Sequence, residues 1–186
     1  MERIKQWVPI FMVMYVCCTN DQRQLKEVNL NNTLSMTIPK DWEIKEKQGI
    51  DSYAFEITNS RGLTLHGDLG RYSTQLLEPS FPVFDIKLKD SLLKRTSNQL
   101  NLNTVHFSEN PEEDNDQRIF SKQFYIYDTI NSIVVKLVQP KKIGDGMTGI
   151  YVPKLKDGNS LSIYAENVDS LEHMEILRIF KTIKFK

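Results

Sequence analysis

The stretch YAFEITNSRGLTLHGDL, residues 53–69, decides the fold class of this 186-residue chain. Apolar residues alternate with other residues on both sides of the turn-prone segment NSRG, residues 59–62; they are Tyr53, Phe55, Ile57, Leu63, Leu65 and Leu69. Alternation with a period of two is typical of strands with one buried face, and a short polar turn containing glycine joins such strands as a hairpin. We therefore expect two antiparallel strands here that bury a common face.

Similar patterns lie on both sides of this hairpin. Ahead of it, Leu34, Met36 and Ile38 alternate up to Pro39. Behind it, apolar runs separated by turn residues indicate further strands. The additional strands that we expect are 34–38, 119–127, 132–138, 149–152, 161–165 and 183–185, with a turn at 128–131. The sequence thus predicts an antiparallel sheet of about six or more strands.

Two segments have helical rather than strand periodicity. Between Glu78 and Asn103, Leu88, Leu92, Thr96 and Leu100 recur at spacings of four. Near the end, Asp169 and Glu172 have the spacing of a capping box, and an apolar stripe follows, consisting of Leu171, Met174, Leu177 and Phe180. We expect an α+β fold in which two helices pack on the sheet, forming a single domain over residues 34–186.

The N-terminus has the pattern of an export signal. Arg3 and Lys5 precede Trp7–Val16, a run of ten residues without charge, which is too short to span a bilayer comfortably. The pair Cys17-Cys18 ends this run and contains the only cysteines of the sequence.

This arrangement resembles the bacterial lipoprotein signal, in which cleavage before a cysteine exposes it for diacylation. The small residue Cys17 precedes Cys18, while Tyr15 stands where the family usually has leucine. The resemblance implies a signal peptide at residues 1–17, lipid on Cys18 (Cys17 is the alternative) and attachment to a membrane of the bacterial envelope. Residues 18–33 are mostly polar, and we expect them to be a tether.

A second resemblance concerns the domain itself. Ile38-Pro39 followed by Trp42, together with Ile179–Lys186 at the end, is similar to the PsbP-like α/β sandwich. The segment from Pro140 to Tyr151 is similar to one found in small bacterial lipoproteins. These resemblances imply a noncatalytic scaffold or accessory protein that has no active-site residues to transfer.

The composition excludes several functional classes. Lys plus Arg and Asp plus Glu both number 24, so no net charge attracts a nucleic acid. His66, His106 and His173 are far apart, and we expect His66 and His173 to be exposed. The acidic segment 109–116 lacks the glycine of a calcium loop and indicates a solvated loop. We therefore predict no catalytic residues, no metal and no cofactor.

An enzyme remains the alternative, because a hydrolase site can be assembled from residues distant in sequence. A deep polar cleft that contains His66 or His106 beside a carboxylate would favour it. A shallow face of exposed tyrosines would favour binding to a protein or glycan.

Two groups are candidates for such binding. GDGMTG, residues 144–149, matches a dinucleotide motif, but the β-like IYVP follows it, so we expect a loop. That loop is a candidate anion site, formed by Lys141, Lys142, Gly144 and Gly146. Tyr125 and Tyr127 share a strand face opposite Phe124 and Ile126. With Tyr151 and Tyr164 on other strands, they are a candidate contact surface.

Overall fold

The computed structural model describes residues 24–49, 51–97 and 99–186. In these ranges the chain forms twelve strands and three α-helices, together with 3-10 turns at 86–88 and 102–104. The strands are β1 Leu25–Leu30, β2 Leu34–Pro39, β3 Glu43–Gln48, β4 Ser52–Thr58, β5 Thr64–Gly70, β6 Val83–Asp85, β7 His106–Ser108, β8 Gln123–Ile130, β9 Ile133–Pro140, β10 Met147–Val152, β11 Ser160–Glu166 and β12 Lys184–Phe185. The helices are α1 Lys89–Arg95, α2 Pro111–Asp116 and α3 Ser170–Lys181.

The main layer is a seven-stranded antiparallel sheet in the order β3-β4-β5-β11-β10-β9-β8. The predicted hairpin is confirmed, since β4 pairs with β5 and Ile57 lies opposite Leu65. The Asn59 side chain accepts hydrogen bonds from the backbone N–H groups of Arg61 and Leu63, which shapes the turn. The predicted α+β class is confirmed as well.

The core lies between one face of this sheet and a second layer, formed by α3 and the small sheet β1-β2-β12. Trp42 and Phe55 are each only 1% exposed there, and burial of such large side chains is the main favourable term in folding. The core face of the main sheet contributes Phe55, Ile57, Leu65, Leu69, Val135, Ile150, Val152, Leu161, Ile163 and Ala165.

The predicted tether, residues 18–33, is wrong over its second half. Leu25–Leu30 form β1, which pairs antiparallel with β2 so that Val28 lies opposite Met36. Leu30 is fully buried and Val28 packs against the core. Lys26 takes the inward position before Val28 and so shortens the apolar alternation in the sequence, but the backbone of β2 offers an edge that β1 completes. The folded domain therefore includes residues ahead of Leu34.

The capping box at the start of α3 is confirmed: Asp169 accepts from Glu172 N–H, and the Glu172 carboxylate accepts from Asp169 N–H. The predicted stripe is wrong at two positions, because Leu171 is 71% exposed and Met174 is 51% exposed. The helix instead buries His173, Ile176, Ile179 and Phe180. These residues are also three and four positions apart and therefore share one helix face. That face packs on the core because three of its four residues are large and apolar.

Other boundaries differ from the predictions. The helix expected between residues 78 and 103 is only α1, and the acidic segment contains α2 instead of a loop. Pro111 at the first turn and acidic residues near the N-terminus both favour such a helix. Strand β8 extends to Ile130, since the turn uses Asn131 and Ser132, both at positive φ. Across the described ranges, no helix has both the length and the apolarity needed to cross a bilayer.

Candidate functional site

The outer face of the main sheet, opposite the core, is crossed by residues 71–82, which we call the strap. Near its start, Ser73 Oγ lies 2.6 Å from Ser160 Oγ on β11. Leu76 then packs over β10 at Gly149, where a Cβ atom would lie 2.8 Å from Leu76 Cδ1. Glycine at this position leaves the space that the 1%-exposed leucine fills.

The strap continues over β9 and β8. Lys136 on β9 donates from Nζ to the Gln75 carbonyl, and its ammonium lies 5.4 Å from the Tyr125 ring and 5.0 Å from the Tyr151 ring. Glu78 N–H donates to the Tyr125 hydroxyl at 2.8 Å. Burial lowers the pKa of Lys136, because the charged ammonium loses solvation. The strap therefore contacts the four adjacent strands β11, β10, β9 and β8.

The end of the strap is held by a carboxylate. Glu78 accepts from Lys122 N–H at 2.8 and 3.0 Å and from Ser121 Oγ at 2.6 Å. These bonds tie residues 77–83 to the segment that enters β8. A cleft opens where the two segments diverge.

This cleft has a volume of about 490 Å³ and lies between residues 77–83, α2 and residues 118–121. Its apolar wall is aromatic. The His106 ring stacks on Phe120, with 4.5 Å between centroids and 6° between planes, and Phe81 meets His106 edge-on at 6.0 Å. The volume lies within the range typical of small-molecule sites.

Polar side chains complete the lining of the cleft, among them Asp114, Asn115, Asp116 and Arg118. The Asp114 carboxylate accepts a hydrogen bond from Ser108 Oγ, which holds it in place. Within the described residues, neither ring nitrogen of His106 is hydrogen bonded. The cleft therefore combines a flat aromatic wall with hydrogen-bonding groups, but among its described lining residues no histidine contacts a carboxylate.

A short parallel pair positions the cleft histidine. Strand β6 pairs with β7 so that Val83 lies opposite His106, and His106 N–H donates to the Pro82 carbonyl at 2.9 Å. The backbone bond places the imidazole beside Phe81 at the end of the strap. Tertiary pairing, rather than a local motif, brings these residues together.

His66 lies in a separate, more polar depression on the outer sheet face. Its Nδ1 is 3.3 Å from Glu56 Oε1, and Tyr164 lies beside it with 5.6 Å between the rings. A hydrogen bond from Lys47 lowers the pKa of Glu56. The prediction that His66 is exposed is confirmed. Ser162 lies on β11 opposite Asp68, two residues along the strand from Tyr164. It is fully buried, and its Oγ has no hydrogen bond to any described residue.

The backbone N–H groups of the candidate anion loop already donate hydrogen bonds within the protein. Gly144 N–H donates to the Val168 carbonyl, Asp145 N–H donates to the Lys142 carbonyl, and Gly146 N–H donates to Asn167 Oδ1. Lys141 Nζ donates to the Arg118 carbonyl at 2.6 Å, and Lys122 forms an ion pair with Asp145 at 2.7 Å. The glycine motif is a loop only over residues 144–146, because Met147–Val152 form β10. Gly149 lies in this strand and not in the helix that a dinucleotide motif requires.

The four tyrosines of the candidate contact surface all lie on the outer face. The strap covers part of this group, because Tyr125 and Tyr151 are half-buried around Lys136. Tyr127 is 72% exposed at the sheet edge, and Tyr164 lies beside His66. The structure thus distributes them over three locations.

Cys17 and Cys18 lie outside the described residues. Within the described ranges, no group of three or more histidine, aspartate or glutamate side chains is arranged to hold a metal ion. No family model and no curated protein matches this chain.

The cleft is not apparent from the sequence. Sequence patterns indicate His106 only as one of two histidines that could belong to a site, and they do not single out Phe81, Phe120 or Arg118. The signal of these residues in the sequence is weak, since single aromatic residues in polar segments are common on protein surfaces and are not a motif. Only the pairing of β6 with β7 brings them together.

Proposed function

We propose that this chain is a lipid-anchored protein of the bacterial envelope whose domain binds a glycan in the cleft without catalysis. The stacked pair of His106 and Phe120 beneath a polar rim carries the proposal. A sugar ring has apolar C–H faces, which pack on flat aromatic surfaces, and hydroxyl groups, which exchange hydrogen bonds with carboxylate, amide and guanidinium groups. The PsbP-like resemblance, which implies an accessory role, supports the noncatalytic part.

The polar rim supplies both kinds of hydrogen-bonding group that a hydroxyl needs. Asp116 offers acceptors, Arg118 offers donors and Asn115 offers both. Asp114 is already engaged by Ser108, so it acts chiefly as part of the wall. A ligand with many hydroxyls suits this mixture better than a fully apolar one.

Binding should be measured by titration of soluble peptidoglycan fragments and N-acetylglucosamine oligomers, with heat or NMR shifts as the readout. Phe120→Ala should weaken binding about tenfold, because it removes the stacking surface. Phe124→Ala is the matched control, since Phe124 is 54% exposed outside the cleft. Glycan binding would be refuted if no saccharide bound, or if Phe120→Ala and Phe124→Ala weakened binding equally. A saccharide that was chemically altered after incubation with the protein would refute the proposal that the domain is noncatalytic.

The membrane anchor places the domain near the lipid surface. Residues 19–24 separate Cys18 from β1. Fully extended, this connection spans at most about 25 Å. Mass spectrometry of the protein from its native cell should show a diacylated N-terminal cysteine. Cys18→Ser should abolish the modification, whereas Cys17→Ser should leave it. An intact Met1 on the wild-type protein would contradict this part of the proposal.

A second candidate function is acid–base catalysis at His66, which the contact with Glu56 favours. A carboxylate beside a histidine orients the ring for proton transfer. Hydrolysis of simple nitrophenyl esters and glycosides, lost in both His66→Asn and Glu56→Gln but retained in Lys156→Met, would support it. The buried Ser162, whose Oγ has no hydrogen bond to His66, makes this candidate weaker than the cleft.

A further inference from the structure

The two edges of the main sheet differ in how well they are protected from pairing. At one edge, β3 has the sequence EIKEKQ, with four charged residues in six. At the other, β8 has the sequence QFYIYDTI, in which Asp128 is the only charge among eight residues. Charged edge strands resist the addition of another strand, whereas long apolar ones invite it. The edge at β8 is therefore open to a partner strand.

The backbone of β8 presents unpaired groups over a short central stretch. In a two-residue hairpin, Ile130 and Ile133 exchange hydrogen bonds, so alternation directs the N–H and C=O groups of Tyr125 and Tyr127 away from β9. No side chain of the described residues bonds to these groups. At the two ends, by contrast, Ser121 Oγ bonds to the Gln123 backbone and Asp128 accepts from Thr129 N–H.

This pattern is symmetric about Ile126. We infer that β8 pairs antiparallel with β8 of a second copy of this chain, with a two-fold axis that passes midway between the two copies of Ile126. Tyr125 of one copy then exchanges backbone hydrogen bonds with Tyr127 of the other. The two seven-stranded sheets join into one continuous sheet.

Side-chain contacts match this register. On the core-side face, Ile126, which is 45% exposed in one chain, meets its own symmetry mate. Asp128 falls opposite Phe124 of the other copy, and the ring of Phe124 lies 5.6 Å from Lys141 Nζ. The lone carboxylate of the strand therefore approaches a lysine of the other chain and not a second carboxylate. This charge complementarity favours a second copy over an unrelated strand.

The test is sedimentation of the full chain in detergent, with mass corrected for bound detergent. Wild type should dimerise, and Ile126→Lys should raise the dimer Kd at least about tenfold, because two ammonium groups meet at the axis. Leu171→Lys is the matched control, since Leu171 is 71% exposed on α3, a helix whose main contacts are with β10 and β2. It should leave the Kd unchanged.

A charge exchange checks the register. Asp128→Lys and Lys141→Asp should each weaken the dimer, and the double variant should restore it, while all three variants keep the far-UV circular dichroism spectrum of the wild type. A wild-type monomer at every concentration would overturn the inference. Equal effects of Ile126→Lys and Leu171→Lys on the Kd would also overturn it, and so would a double variant that does not recover dimerisation. A monomer that gains mass only with added cell extract would overturn it too, because the β8 edge would then pair with a strand of another protein.

Discussion

Thr148 Oγ1 and His173 Nδ1 lie 2.8 Å apart in the buried interface between β10 and α3. The sequence predicts this histidine on the helix surface, and that prediction is wrong, since His173 is 9% exposed. The contact brings a polar pair into an otherwise apolar interface, where each group satisfies the other. It also makes the packing of the helix sensitive to pH.

Burial lowers the pKa of His173 below its ordinary value of 6.5. The unfolded chain therefore takes up this proton at a higher pH than the folded chain. The contribution to stability is complete above pH 6.5 and is lost as the pH falls through the folded-state pKa. His173→Gln should show a smaller decrease in melting temperature than wild type between about pH 7 and pH 5. The exposed His66→Gln is the control, and equal decreases in wild type and His173→Gln would contradict the prediction.

Replacement of the partner tests the same bond from the other side. Thr148→Val keeps the shape but leaves the buried imidazole nitrogen unsatisfied, which should cost about 1–3 kcal/mol in the free energy of unfolding. Chemical denaturation of the two proteins at neutral pH measures this difference. An unchanged midpoint would mean that the bond contributes nothing to stability.

The strap should be part of the cooperative fold. Leu76→Ala removes a side chain that is 1% exposed and should lower the free energy of unfolding by about 2–5 kcal/mol. The adjacent Leu77 is 62% exposed, so Leu77→Ala should change it by less than about 0.5 kcal/mol. Denaturant unfolding of both variants decides the matter. Similar small effects would show that the strap detaches without loss of the sheet.

Gly67 lies directly beneath the Phe55 ring, where a Cβ atom would approach Phe55 Cζ to 2.1 Å. Gly67→Ala should therefore cost about 1–3 kcal/mol or more through overpacking. Phe55→Leu should cost less in the Gly67→Ala variant than in wild type, because the smaller side chain relieves the clash. A double-mutant cycle by denaturation measures this coupling, and strict additivity of the two costs would contradict the contact.

Lys136 should make stability rise with pH in the alkaline range. Burial holds its folded-state pKa below the 10.5 of the exposed group, so the unfolded chain binds more protons between the two values. The stability of wild type relative to Lys136→Met should therefore increase between about pH 8 and pH 10. Lys156→Met, at an exposed lysine, should show no such trend. A difference that stays constant with pH would argue against the buried position of the ammonium.

Local patterns in the sequence determined the elements whose signals are short-range. Alternation and the NSRG turn were enough for the β4–β5 hairpin, and the Asp169 capping box was enough for the start of α3. These features depend on contacts between residues close in the chain, which a sequence displays directly. The α+β class follows from their sum.

Tertiary structure alone decided whether residues 25–30 would form a strand and which face of α3 would be buried. Strand β1 formed because β2 offered an edge. Helix α3 turned His173 inward because the same face carries Ile176 and Ile179, which are buried together with Phe180. The strap and the cleft depend on pairings between residues tens of positions apart, such as Glu78 with Tyr125. No local propensity encodes such contacts, since their free energy exists only once the sheet has been assembled.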